Sequence, residues 1–114
     1  MMSQSPEQSP LTPNQYRRLA LSLPDTVESS HQDHPDFRVK GRIFATLWKG
    51  EGVLMLKPDQ QADLVESHPA VFAPVKGGWG RRGSTAVRLD AADNDAVILE
   101  ALKTAWGNKA GKRP

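Results

Sequence analysis

The sequence predicts an α+β domain, an antiparallel β-sheet with helices packed on one face. Three observations carry that expectation. Helical and strand-like patterns follow one another in the order helix, three strands, helix, loop, strand, helix. Glycine-containing turns separate the first strands, as tight antiparallel connections require. The first and last helical segments each carry one apolar stripe, so each needs one face covered.

Residues 1–10 are rich in Ser, Gln and Pro and are expected to form a disordered lead. In "LTPNQYRRLALSLPD", Thr12 fits an N-cap, Pro13 the first helical position and Gln15 the capping-box partner. Tyr16, Leu19, Ala20 and Leu23 recur at helical spacing, and Pro24 stops the helix. "VESSHQDHPDFRVKGRIFATLWKGEGVLMLKP" reads as three strands, with turns at Lys40-Gly41 and "KGEG". The first turn has two registers. A two-residue loop pairs Val39 with Arg42; a three-residue loop pairs Val39 with Ile43. The second is preferred, because it gathers Phe37, Val39, Ile43, Ala45 and Leu47 on one face. It leaves Arg38, Phe44, Thr46 and Trp48 on the other. "PDQQADLVESHP" is a short helix opened by Pro58. "AVFAPVKGGWGRRG" reads mostly as loop, and "STAVRLD" alternates as a half-buried strand does. "DNDAVILEALKTAWG" is a helix with acids in its first turn and a stripe of Ile98, Ala101, Leu102 and Ala105. Gly107 is its expected stop. The domain is therefore placed at residues 11–107, with 108–114 a basic flexible tail.

The chain has 114 residues, enough for one core. It has no cysteine, which excludes disulfides and cysteine-ligated metals. No apolar run approaches the ~18 residues of a membrane span, and "MMSQSPEQSP" has no signal-peptide core. A cytoplasmic location without membrane partners is expected. Between Leu11 and Trp106 there are 12 basic and 12 acidic residues, so the body is formally neutral. The charges are nevertheless sorted. Arg38 to Lys49 and Lys76 to Arg88 each hold four basic residues and no acid, while acids gather in the segments read as helices. A sheet-and-helix layering would make the domain electrically two-faced.

"GGWGRRGSTAVRL" matches neither phosphate-loop spacing, and a strand rather than a helix follows it. It can be a nucleic-acid wing, with Arg81 and Arg82 on phosphates and Trp79 in apolar contact. It can equally be a brace, with Trp79 packed over the core edge and the arginines paired to acidic helices. On the sheet face away from the core, Arg38, Phe44, Trp48 and Arg88 can hold a single strand or a partner protein. In "SHQDHPDF", His31, Asp33 and His34 are weak candidates for a metal site; a straight strand puts His34 on the face opposite to His31 and Asp33. No nucleophile elbow or buried acid pair is visible, so no enzyme activity and no cofactor are expected.

"HPDFRVKGRIFATL", "LKPDQQADLV" and "GGWGRRGSTAVRLD", in that order, resemble the MmcQ/YjbR family over about Leu11 to Trp106. The matching positions are His34, Pro35, Phe37, Arg38, Gly41, Phe44, Trp79, Gly80, Arg81, Arg82 and Gly83. The resemblance implies a two-layer frataxin-like (CyaY-like), double-wing α+β fold and DNA binding, and it implies no catalytic residue. Ser84 departs from the family pattern, in which an aromatic often follows "RRG". The expected function is a weak, salt-sensitive nucleic-acid-binding module using Arg38, Trp48, Trp79, Arg81, Arg82 and Arg88. The alternatives are a partner-protein adaptor on the sheet face and a metal or small-ligand protein.

Overall fold

The computed structural model describes residues 10–92 and 94–111. The expected lead falls almost wholly outside them, as do Asp93 and residues 112–114. Helix α1 (Pro13–Leu21) opens as its sequence predicts. Gln15 N donates to Thr12 Oγ1 at 3.1 Å, and Thr12 N donates to Gln15 Oε1 at 2.8 Å. Four hairpin-linked strands follow: β1 (Thr26–His31), β2 (His34–Val39), β3 (Arg42–Trp48) and β4 (Glu51–Met55). Their loops are Gln32-Asp33, Lys40-Gly41 and Lys49-Gly50, and all six loop residues have positive φ. That backbone matches the right-handed twist of the flanking strands. The sequence pattern predicts three strands here where the fold has four, because Gln32-Asp33 makes its turn without the glycine that usually signals one.

The chain continues through α2 (Pro58–Ser67), β5 (Phe72–Pro74), α3 (Gly78–Arg81), β6 (Ser84–Arg88) and α4 (Asp95–Ala110). The expected loop before the last strand thus contains a short edge strand and one helical turn. Pro74 marks β5 as an edge, where a missing N–H costs no ladder bond. The sheet order is β1-β2-β3-β4-β6-β5, and every neighbouring pair is antiparallel.

Helices α1 and α4 pack on one face of this sheet. The core between the layers holds Tyr16, Ala20, Phe37, Val39, Phe44, Leu54, Phe72, Val87, Ile98 and Leu102, all almost wholly buried. Tyr16 sits directly over Gly52, where any Cβ would overlap its ring. Its hydroxyl donates to the Val53 carbonyl at 3.4 Å, and its ring meets Phe37 edge-on. Burial pushes its phenol well above the ordinary range.

The β2–β3 register corrects the sequence reading. Val39 pairs with Arg42 and Arg38 with Ile43, as a two-residue loop demands, but Phe37 pairs with Ala45. Phe44 is therefore an extra residue, a β-bulge. Beyond it the strand follows the register of the three-residue loop. Phe44 and Ala45 are both fully buried, and Ile43 is left on the other face. Helix α4 also departs from expectation. It runs through Gly107 to Ala110 and ends at Gly111 in the left-handed conformation. An interior glycine costs roughly 1 kcal/mol. Asn108 Nδ2 offsets this by donating to Met55 O (3.1 Å) and Gln60 Oε1 (2.8 Å), and Ala110 is buried. The first residues of the expected tail are thus part of the fold.

Two glycines, Gly80 and Gly83, shape the segment before β6; a Cβ at Gly83 would overlap the Leu56 carbonyl oxygen. A Cβ at Gly80 would overlap the Val75 carbonyl oxygen, whereas one at Gly78 meets nothing within 4 Å. Gly80→Ala is expected to lower the unfolding free energy by about 1–3 kcal/mol. Gly78→Ala should change it by less than about 0.5 kcal/mol. Urea denaturation of the two variants beside wild type checks the contrast.

Candidate functional site

Strand alternation puts a second set of side chains on the face away from α1 and α4. Three cross-strand rows can be read from the register. The first contains Val27, Arg38 and Ile43; the second Ser29, Asp36, Thr46, Val53, Ala86 and Ala73; the third His31, His34, Trp48, Glu51 and Arg88. Apart from Asp36, the residues of these rows are half-buried or exposed. Trp48 is 42% and Val27 62% exposed.

Asp36 is fully buried within this otherwise open face. Its carboxylate accepts from Arg38 Nε at 2.8 Å and from Arg38 Nη2 at 3.1 Å, and it lies 2.7 Å from His31 Nδ1. The Arg38 hydrogen bonds hold the Asp36 carboxyl below its ordinary range; burial opposes this, and His31 adds to it. Two nitrogens of Arg38 are therefore committed inside the protein. His31 and His34 pair across the Gln32-Asp33 turn with rings 6.2 Å apart, and His34 packs edge-on against Trp48. Lys49 Nζ lies 5.3 Å from the Trp48 ring centroid.

This geometry does not gather the three weak metal candidates into one cluster. The turn places His34 on the same face as His31 and leaves Asp33 in the loop, while His31 turns to Asp36 instead. Among the described residues no three His, Cys, Asp or Glu side chains could hold a metal ion.

The expected interface residues fall into two groups. Arg38, Trp48 and Arg88 share the open face, and Phe44 does not join them because the bulge buries it. Trp79, Arg81 and Arg82 lie in and after α3, beyond the opposite end of β6 from Arg88, about 13 Å away along the strand. Trp79 is 65% exposed, so it does not pack over the core edge. The Arg82 guanidinium lies over its ring, 5.6 Å from the centroid. Arg81 and Arg82 are exposed, and neither forms an ion pair among the described residues. The loop is braced instead by Gln61 of α2, whose Nε2 donates to Gly80 O and Ser84 O, both at 2.9 Å. Gln61 carries no sequence signal, since it reads as one more polar residue on a solvated helix.

Charge follows the layering. Residues 31–56 and 68–88, which supply five strands and the α3 loop, carry eight basic residues and three acids, one of which is the buried Asp36. Helix α2 carries three acids and no base.

These features define a small open-sheet α+β domain with helices on one face and, on the other, a partly aromatic surface bearing Arg38 and Arg88 beside Asp36 and Glu51. The chain belongs to the YjbR family, whose model matches residues 21–108. The crystal structure of Deinococcus radiodurans protein DR2400, which carries a DUF419 domain, is similar at a TM-score of 0.69 and 22% identity. The alignment covers 97% of this chain and 86% of that one, and at this identity it shows a shared fold. No curated protein matches the chain.

Removing the buried carboxylate tests the network under the open face. Asp36→Asn should cost about 1–3 kcal/mol at pH 7, because it weakens charge-assisted hydrogen bonds. The folded-state value of Asp36 lies below its unfolded value, so its contribution is complete above the unfolded carboxylate range. It is lost as pH falls through the lowered folded value. The gap between wild type and variant should therefore narrow below about pH 4, as urea denaturation at about pH 7 and about pH 3 would measure.

Proposed function

We propose that this protein is a non-catalytic nucleic-acid-binding module of the cytoplasm, with DNA as its first candidate partner. The observation that carries this reading is the state of Arg81 and Arg82. Both are exposed, without an acidic partner among the described residues, on a loop whose backbone is fixed by Gln61, Gly80 and Gly83. A brace would have paired them to α2 or α4. Two adjacent guanidinium groups without acidic partners among the described residues, one of them over the Trp79 ring, suit phosphate contact on a stiff loop. Arg88 and Lys49 extend the positive surface across the open face, and Arg38 contributes with the part of its guanidinium that Asp36 does not engage.

The adaptor reading has less to stand on. It needs a contiguous apolar patch, and with Phe44 buried the open face presents Val27 and Trp48 in separate rows.

Fluorescence-anisotropy titration against random duplex and single-stranded DNA, at two salt concentrations, tests the proposal. Binding should weaken steeply with salt. The Arg81→Ala/Arg82→Ala variant should bind less tightly, with its log–log salt slope reduced by about 1.4 to 1.8, since each phosphate that an arginine neutralises adds roughly 0.7–0.9. Its unfolding midpoint should not change, since both side chains are solvated. Binding that ignores salt, or a double variant with undiminished affinity, would overturn the proposal. No detectable binding at low salt would favour the adaptor.

A further inference from the structure

We infer that the nucleic acid held by this surface is single-stranded, with unstacked bases lying on the ring strip His31–His34–Trp48. This rests on the nucleic-acid reading above and names its substrate class.

No helix of the fold is free to enter a groove of a duplex. Reading a major groove requires a protruding helix or β-ribbon. Helices α1 and α4 bury their apolar stripes against the sheet, on the side away from the open face. Helix α2 carries only acidic charge, which repels phosphate. Helix α3 is a single turn of four residues. What remains is an open antiparallel sheet face and the two-residue hairpins at its strand ends.

That face carries three rings in one row, neighbouring rings meeting at 84° and 71°. His31, His34 and Trp48 succeed one another across β1, β2 and β3 in one row. Their orientations are held: His31 by the buried Asp36, and Trp48 by the edge of His34. Tight two-residue hairpins fix the strands beneath them. Trp48 keeps 42% of its surface exposed while sitting among polar residues. An exposed indole of this kind serves a base whose face is free, which a duplex does not offer.

Charge is placed to accompany it. Lys49 lies over the Trp48 ring, and Arg88 closes the same row. Glu51, between Trp48 and Arg88, is the one acid of that row and interrupts the positive track. The adjacent row carries the short side chains of Ser29, Thr46, Val53 and Ala86. Asp36 also stands in this row, and Arg38 and His31 reach across to its carboxylate. The Trp79–Arg82 pair repeats the combination of exposed indole and guanidinium at the other end of β6.

The test uses the full chain at low salt with three labelled oligomers of about 20 nucleotides, a length that exceeds a typical single-strand site. They are a single strand without secondary structure, its duplex, and an abasic strand of the same backbone. The single strand should bind at least about tenfold tighter than either of the others and quench tryptophan fluorescence. Trp48→Ala should weaken single-strand binding about fivefold to a hundredfold, the span of one lost base stack. Trp48→Phe should retain most of the affinity, and neither substitution should alter duplex binding. Equal or tighter binding of the duplex, or undiminished binding of the abasic strand, would overturn the single-strand inference and leave general nucleic-acid binding standing. An unaffected Trp48→Ala variant would overturn the role of the ring strip. Failure of all three oligomers to bind would remove the underlying nucleic-acid reading, and this inference with it.

Discussion

One extra residue in β3 decides which side chains each face of the sheet receives. With an uninterrupted two-residue hairpin, Ala45 and Leu47 would point away from the helices, and Thr46 and Trp48 toward them. The bulge at Phe44 reverses that assignment from Ala45 onward. Phe44 and Ala45 then both enter the core, and Leu47 faces Gly52 on the helix side. Trp48 and Thr46 emerge on the open face beside Asp36. The open face and the core are therefore two consequences of one local irregularity. A β-strand has period two, so a single insertion exchanges every later side chain between faces.

The core uses the space this creates. Tyr16 fits over Gly52, where the missing side chain lets a ring lie against the backbone of β4. It thereby joins α1 to the middle of the sheet instead of its edge. Helix α4 reaches the C-terminal end of the same strand, β4, through Asn108, which binds both Met55 and Gln60. Helix α2 in turn holds the α3 loop through Gln61. The exposed arginines thus sit at the end of a chain of hydrogen bonds running from α4 through α2. Their surface position is a consequence of the packing on the opposite layer.

The open face carries a cost that the protein meets locally. A buried aspartate among half-exposed neighbours would be destabilising if unpaired. Arg38 and His31 satisfy it, and Arg38 in doing so gives up part of the charge it could offer a ligand. The similarity to DR2400 at 22% identity shows how well this architecture survives sequence change. Fold alone does not assign a function. Function is therefore to be sought in the particular side chains of the face and the loop.

Much of the framework is local and is legible without coordinates. The capping box at Thr12–Gln15, the Lys-Gly turns and the core stripe of α4 each depend on neighbours a few residues apart. Charge sorting between strands and helices is equally readable, because it requires only counting. The remainder depends on distant partners. Strand β1 is hidden in the sequence because Gln32-Asp33 lacks the usual glycine. Gly107 looks like a helix end until Asn108 finds its partners on β4 and α2. The burial of Phe44, the meeting of His31 with Asp36 and the exposure of Trp79 follow from a register shift and from packing between layers. The sequence by itself determined most of the elements and where their charges lie, because hydrogen-bonding period and turn chemistry are short-range. Only the tertiary structure decided which face each side chain occupies, because a bulge and a buried contact are settled by the strand or helix on the other side.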